Sequence, residues 1–291
     1  MPLPVSDTRV SYPDGETVSS GTVLHVEPLD GGRFAVLLDR TAFHPVDTAW
    51  PDQPADRGRM RGARREAPIV GGVTGGIREG SLLLGDDLPV RMGAPEWTFV
   101  VAHLIEGEPP APGENVEVTV DAEYRHALSA GHTACHLASL ALDLALRDAW
   151  TKPVPLDALG QPGFDAAAIQ TSRIEPNGSR DVYRIGKSLR RKGFDPAALD
   201  DLDAIARRAN EALAGWVASA AAIRIERDDD AISARRTWVC DLPEGEARIP
   251  CGGTHLTGLD AVDAITVALE VAPAERGLEL RMRTTLAPSA T

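Results

Sequence analysis

An α+β fold is predicted, with a strand-rich part over residues 1–121 and a mixed part over residues 122–291. Three observations predict it. Short apolar runs broken by Gly, Pro and Asp recur through the first part. Two stretches in the second part repeat apolar residues every three or four positions, the period of a buried helix face. Near the end, Ile265/Val267/Leu269/Val271 and Leu278/Leu280/Met282 alternate with polar residues, the period of half-buried strands.

Taken in order, Thr22–Val26 and Arg33–Leu38 read as strands joined by a hairpin turn at Leu29-Asp30-Gly31-Gly32. Ser81–Leu84, Trp97–Leu104 and Val116–Val120 follow, and the spacing suits a small barrel or a sandwich. Residues 45–80, rich in Pro, Asp, Arg and Gly, read as a long irregular loop. A helix is predicted over Arg125–Trp150 from Ala130, Ala134, Leu137, Ala141 and Leu144, with Pro153 and Pro155 ending it. Residues 151–180 read as an excursion. A second helix, about Pro196–Ala218, puts Leu199, Leu202, Ile205, Ala209, Leu213 and Trp216 on one face. Strands return at Ala222–Ile225 and Arg236–Val239, then in the alternating pair joined by a turn at Pro273–Gly277, so the sheet of this part is antiparallel.

The composition sets bounds on function. No apolar run nears the roughly 20 residues of a membrane span, so no membrane partner is expected. The start, MPLPVSDTRVSYPDGE, has neither a basic patch nor an apolar core, and no signal peptide is expected there. Only three cysteines occur, which argues against a disulfide framework; the cytoplasm is the expected compartment. A net charge of −13 opposes a broad grip on nucleic acid, and no DNA partner is expected. Yet Arg57, Arg59, Arg61, Arg64 and Arg65 place five cations in nine residues, and Arg184, Lys187, Arg190, Arg191 and Lys192 repeat that density. Such patches suit transient contact with part of a nucleic acid, and equally suit solvated faces. Monomer and small homo-oligomer both remain open.

Two motifs carry the chemistry. His132-Thr-Ala-Cys-His136 puts two imidazoles one turn apart on one helix face, where both reach a single metal ion. Cys251-Gly-Gly-Thr-His255 repeats the four-residue spacing with two glycines inside it, so the segment is expected to wrap a site through positive φ or close backbone approach. Thiolate and imidazole together suit zinc. Neither motif alone specifies a metal, but four of the ten His and Cys residues fall into these two matched pairs. Cys135 and Cys240 read as small core residues, and His25, His44, His103 and His126 as structural ones.

HTACHL and CGGTHLTGL together resemble the His-x-x-x-His and Cys-x-x-x-His signatures of the AlaX-type alanyl-tRNA editing proteins, whose domain also occurs in alanyl-tRNA synthetase and, in related form, threonyl-tRNA synthetase. LLDRTAFHP at 37–45, Gln53-Pro54 with Asp56 and Gly58, VDAEYRHAL ahead of the histidines, and Ala209-Asn210 extend the resemblance over nearly the whole chain. It implies a β-barrel-like domain followed by an α+β editing domain, with no counterpart of the C-terminal oligomerisation domain of the largest members. It implies a Zn2+ site of His132, His136, Cys251 and His255, with His255 as a fourth ligand or as a group acting on water. It implies a substrate-facing set of Thr41, Asp52, Gln53, Gly252, Gly253 and Thr254. The partner it implies is an aminoacyl-tRNA, met transiently, and the reaction is hydrolysis of the aminoacyl ester; the stretch of Arg184, Lys187, Arg190, Arg191 and Lys192, more basic than its counterpart in the family, is the expected tRNA contact by its charge.

Two departures bear on substrate identity. Val46-Asp47-Thr48-Ala49-Trp50-Pro51-Asp52 replaces the family's glycine run ahead of Gln53, about three residues longer, and His44 stands where the family usually has tyrosine. A site that hydrogen-bonds a substrate hydroxyl rejects ligands lacking it, so the polar loop shifts the expectation from seryl or glycyl esters on alanine tRNA toward threonine or a close analogue, for example halogenated. Two rival classes are a zinc hydrolase of a small-molecule ester or amide, and a non-catalytic RNA-binding module with a structural zinc.

Overall fold

In the computed structural model, which describes residues 2–47, 50–275 and 277–289, the chain divides into two units. The first comprises Met1–His126, Ile225–Arg236 and Gly252–Thr254; the second comprises Ala127–Arg224, Thr237–Cys251 and His255–Thr291.

The first unit is built on β1 (Arg9–Val10), β2 (Val18–Pro28), β3 (Arg33–Leu38), β4 (Arg40–Thr41), β5 (Gly58–Arg61), β6 (Glu66–Arg78), β7 (Ser81–Leu84), β8 (Thr98–Glu106) and β9 (Asn115–Val120). Seven of them form one sheet in the order β5-β9-β2-β3-β8-β6-β7, its pairings antiparallel, with β5 paired to β6 as well as β9. On β9, Val116, Val118 and Val120 are buried while Glu117 and Thr119 are not, as alternation requires. Central β3 is apolar on both faces. Val36 and Leu38 join one core cluster and Ala35 and Leu37 another. The turn between β2 and β3 holds Gly31 at φ 73°, a conformation glycine adopts without strain.

Residues 45–80 correct the sequence reading, because β5 and the 13-residue β6 lie there instead of an irregular loop. Four glycines in β6 hid it. A Cβ on Gly72 would stand 2.4 Å from the Phe43 ring, and one on Gly76 would stand 2.4 Å from Leu88 and 2.9 Å from Trp97. These glycines make room for large side chains lying across the strand.

The second unit contains most of α1 (Ala122–Ala145), then α2 (Phe164–Ala168), β10 (Ile169–Glu175), β11 (Gly178–Ile185), α3 (Lys187–Arg191), α4 (Leu202–Ala218), the start of β12 (Ile223–Arg227), nearly all of β13 (Arg236–Leu242), then β14 (Gly245–Pro250), β15 (Val262–Ala274) and β16 (Gly277–Pro288). Asp121 caps α1 by accepting the Tyr124 N–H at 3.0 Å, and Asp201 caps α4 through Ala204 at 2.9 Å. α1 stops at Ala145, short of the predicted Trp150, and a 3-10 turn at Arg147–Ala149 follows. β15 and β16 form the predicted antiparallel pair within the sheet β10-β11-β16-β15; Arg276, in their turn, lies outside the described residues. Asn210 on α4 donates to the Val267 carbonyl (3.0 Å) and accepts its N–H (2.7 Å), covering the outer edge of β15. A smaller sheet orders β12-β13-β14, of which β14 was not anticipated.

The expected excursion at 151–180 is a second correction, since α2, β10 and the start of β11 occupy it. Its inward positions are polar, which erased the apolar alternation. Ser172, Ser179 and Asp181 are buried, and both serines donate to the Asp181 carboxylate at 2.6 and 2.7 Å. Nearby, Asp143 on α1 is 3% exposed and accepts the Asp165 N–H at 2.7 Å. Burial pushes the Asp143 carboxyl up to about 9, aided by the negative charges of Asp165 and Asp157.

In the unfolded chain this group ionises near pH 3.9. The folded protein therefore holds one proton more between those two values, and its stability falls as pH rises through that window, by at most about 1.4 kcal/mol per pH unit. Asp143→Asn stays neutral and should flatten this fall when denaturant midpoints are compared from pH 5 to 8.5. Equal slopes in the two proteins would show that Asp143 is ionised when folded.

Candidate metal centre

His132 and His136 come from the middle of α1, where the chain is held close to a neighbouring turn. A Cβ on Gly131 would stand 2.2 Å from the Glu175 carbonyl oxygen and 2.6 Å from that of Gly178, so only glycine lets the helix approach β10 and β11 here. Cys251 follows β14, and His255 comes four residues later. The ligand-type atoms of His132, His136, Cys251 and His255 all lie within 4.8 Å of one another. Cys251 Sγ is 3.5 Å from His132 Nε2 and 3.2 Å from His255 Nε2. The three imidazole rings have centroids 4.3 to 5.0 Å apart. Trp238 on β13 walls the group, 5.0 Å from the His136 ring.

These distances suit a tetrahedral ion. Bonds of about 2.0–2.3 Å to nitrogen and sulfur place neighbouring donors roughly 3.3–3.8 Å apart. His136 Nε2 is buried with no hydrogen-bond partner, and such an atom is costly unless something takes its lone pair. Burial holds His132 down to about 3 and His136 well below the usual histidine value, the latter also through His132. Both rings are thus neutral at physiological pH, the form a metal requires.

Thr133 is the residue the motif reading passed over. Fully buried, its Oγ1 accepts the Leu256 N–H at 3.0 Å and lies 3.4 Å from His255 Nδ1. A proton on Nδ1 donated to Thr133 leaves Nε2, the nitrogen beside Cys251, as the lone-pair atom. The threonine inside the first motif thereby orients a ligand of the second. Cys135 stays outside the cluster, donating to Asp181 Oδ1 at 3.6 Å, and burial pushes its thiol far up.

The expected substrate-facing residues lie in the first unit. The Thr41 hydroxyl donates to His103 Nε2 at 2.9 Å and accepts the Phe43 N–H at 3.1 Å; His103 donates its single ring proton, on Nδ1, to the Val36 carbonyl. Gln53 Nε2 donates to Thr254 Oγ1 at 2.9 Å while its Oε1 accepts the Thr254 N–H at 3.1 Å. Asp52 Oδ1 accepts the Gln53 N–H at 2.7 Å, and Thr48 lies outside the described residues. Gly252 is exposed and Gly253 buried, and neither has positive φ, against the expectation from the motif; a Cβ on Gly252 would meet nothing nearer than 4.0 Å.

The two basic stretches differ. In the first, Arg59 pairs with Glu66 (3.1 Å), Arg61 with Glu117 (2.7 Å) and Arg65 with Glu108, while Arg57 stacks over Tyr124. In the second, Arg184, Lys187, Arg190, Arg191 and Lys192 are exposed and form no ion pair among the described residues. No described helix is long and apolar enough to cross a membrane.

No protein-family model matches the chain. It is similar to the alanine–tRNA ligase of Pyrobaculum neutrophilum, 36% identical over 106 residues, which is 36% of this chain and 9% of that protein. It is 28% identical to the alanine–tRNA ligase of Halorubrum lacusprofundi over 64% of the chain and 17% of the relative. With that of Halobacterium salinarum it shares 25% identity over 84% of the chain and 22% of the relative. The chain thus spans less than a quarter of the length of the curated relatives it matches.

One equivalent of zinc per chain is expected in protein purified without chelator, read by elemental analysis. Cys251→Ala should lose it and Cys135→Ala should keep it; loss in both would mean the thiol ligand is misassigned. Thr133→Val should weaken zinc about 10–100-fold in chelator competition, with Thr133→Ser restoring it. An unchanged affinity in the valine variant would remove Thr133 from this role.

Proposed function

We propose that the chain, which is similar to part of several alanine–tRNA ligases, is a zinc-dependent trans-acting deacylase that hydrolyses the ester of a mischarged tRNA, working in the cytoplasm. The observation that carries this reading is the convergence of His132, His136, Cys251 and His255 within 4.8 Å in a chain with that similarity.

When bound, zinc lowers the pKa of a coordinated water to about 7 and polarises a carbonyl. The ester of an amino acid with a ribose hydroxyl is already activated, so this is sufficient help. The chain's own residues do the rest. Burial keeps His132 and His136 neutral, Thr133 fixes the tautomer and direction of His255, and Trp238 excludes water from one side of the rings. His132, His136, Cys251 and His255 would hold the ion, and hydrolysis would need one position left open. His255, on a loop rather than on the helix, is the donor suited to exchange. The unpaired cations at 184–192 supply contacts for tRNA phosphates.

The relatives' name supports alanine tRNA, and the resemblance of the motifs to editing proteins adds serine or glycine as the default residue to be removed. The altered loop favours a second substrate, threonine or a close analogue. Trp50, 46% exposed just ahead of Gln53, offers a large contact surface that a glycine run lacks.

Deacylation of seryl-, glycyl-, alanyl- and threonyl-type esters of one tRNA, with and without chelator, tests the reading. Chelator should abolish turnover and zinc should restore it. Arg190→Ala with Arg191→Ala should raise KM and flatten the salt dependence. Chelator-resistant hydrolysis would remove zinc from the reaction, and activity on small esters alone would replace the tRNA with a small-molecule substrate. A clear preference for the seryl ester would end the threonine variant.

A further inference from the structure

The outward face of the sheet β10-β11-β16-β15 carries arginines that the folding of the unit does not require. Arg173 on β10 stands opposite Arg180 on β11, and Arg180 stands opposite Arg283 on β16. Three cations therefore lie in one row across three adjacent strands, about 4.8 Å from strand to strand. Like charges placed directly opposite one another oppose strand pairing. Neighbouring rows add Arg281 and Arg184, and all five arginines are exposed. Alternate residues of the same strands, Ile174, Asp181, Tyr183, Leu280 and Met282, are buried on the other face.

Acidic residues on the exposed face only partly answer this charge. Glu175 lies 3.0 Å from Arg180, Glu279 lies 3.2 Å from Arg281, and Glu270 stands opposite Arg281 in the ladder. Arg184 and Arg283 form no ion pair among the described residues. Beyond the end of β11 the chain runs directly into the unpaired cations of α3. There a cavity of about 840 Å³ is lined by Arg184 and Lys187 over the apolar Ala168, Ile169 and Leu189. In a chain of net charge −13, this is a local reversal of sign.

We propose that this sheet face binds the sugar-phosphate backbone of RNA, extending the 184–192 stretch into one continuous docking surface; the tRNA identity of that RNA rests on the deacylase reading above. A row of guanidinium groups at strand spacing suits a repeating polyanion, because each fork can take a phosphate through two hydrogen bonds. The like-charge register, unfavourable in the free protein, becomes favourable once phosphates lie across it.

The test is binding of uncharged tRNA to the full chain, measured by fluorescence anisotropy across a salt series, for wild type and for Arg180→Gln with Arg283→Gln. The variant should bind at least about tenfold more weakly at 0.1 M salt. Its log Kd against log salt slope should fall by roughly 1.4–1.8, two phosphate contacts' worth. Its thermal midpoint should stay level or rise, since a repulsion is removed. Equal affinity and slope in both proteins, no tRNA binding by the wild type, or a preference of the face for polyglutamate over tRNA would each overturn the proposal. Binding that fails in the variant, from a wild type that deacylates no aminoacyl-tRNA, would sustain the RNA face and sink the deacylase. Deacylation with an unchanged KM in the variant would do the reverse.

Discussion

One threonine hydroxyl joins the two halves of the candidate metal centre. Thr133, buried on α1, receives the backbone N–H of Leu256 and faces Nδ1 of His255, so the loop after β14 is set against the helix that carries His132 and His136. The ligands come from segments more than a hundred residues apart, and helix period alone aligns only the first pair. The second pair needs a tether of correct length. Gly131, one residue before the first ligand, lets the same helix sit against the backbone of β10 and β11. Beside these groups His136 Nε2 is buried with no hydrogen-bond partner, which leaves its lone pair for an ion.

Behind α1 the second unit keeps an unusually polar interior. Asp181 is satisfied by two serine hydroxyls and Cys135, Tyr183 donates to Asp165 at 3.0 Å, and Asp143 takes the Asp165 N–H. Burial raises Asp143 to about 9, so that it keeps its proton at neutral pH, and raises Asp165 to about 6. This network anchors β10, β11 and α2 to the helix that carries His132 and His136 through directional bonds.

Charge is divided unevenly between the units. Arginines at 59, 61 and 65 are neutralised by glutamates within the first unit. Those at 184–192 form no ion pair among the described residues, and the row on the sheet face is answered in part by Glu175. An acidic body with one basic surface disfavours non-specific association and still attracts a polyanion to one place. A sequence count of arginines cannot separate the two cases, because pairing depends on which strands become neighbours.

The sequence by itself determined the α+β class, both long helices, the β15–β16 pair and the four candidate ligands. Each rests on short-range rules: period 3.6, period 2, and matched four-residue spacings of scarce residue types. Only tertiary structure decided that residues 58–78 form strands, because their glycines serve large side chains from elsewhere in the unit. It also decided that 169–185 is a hairpin whose buried face mixes Ser172, Ser179 and Asp181 with Ile174 and Tyr183, where hydrogen bonds share with apolar contact in satisfying the interior. Thr133, Gln53 and Thr254 gained their roles the same way, since their partners are 123 and 201 residues distant. A hydrogen bond depends on where two atoms end up, and no local pattern in the chain records that distance.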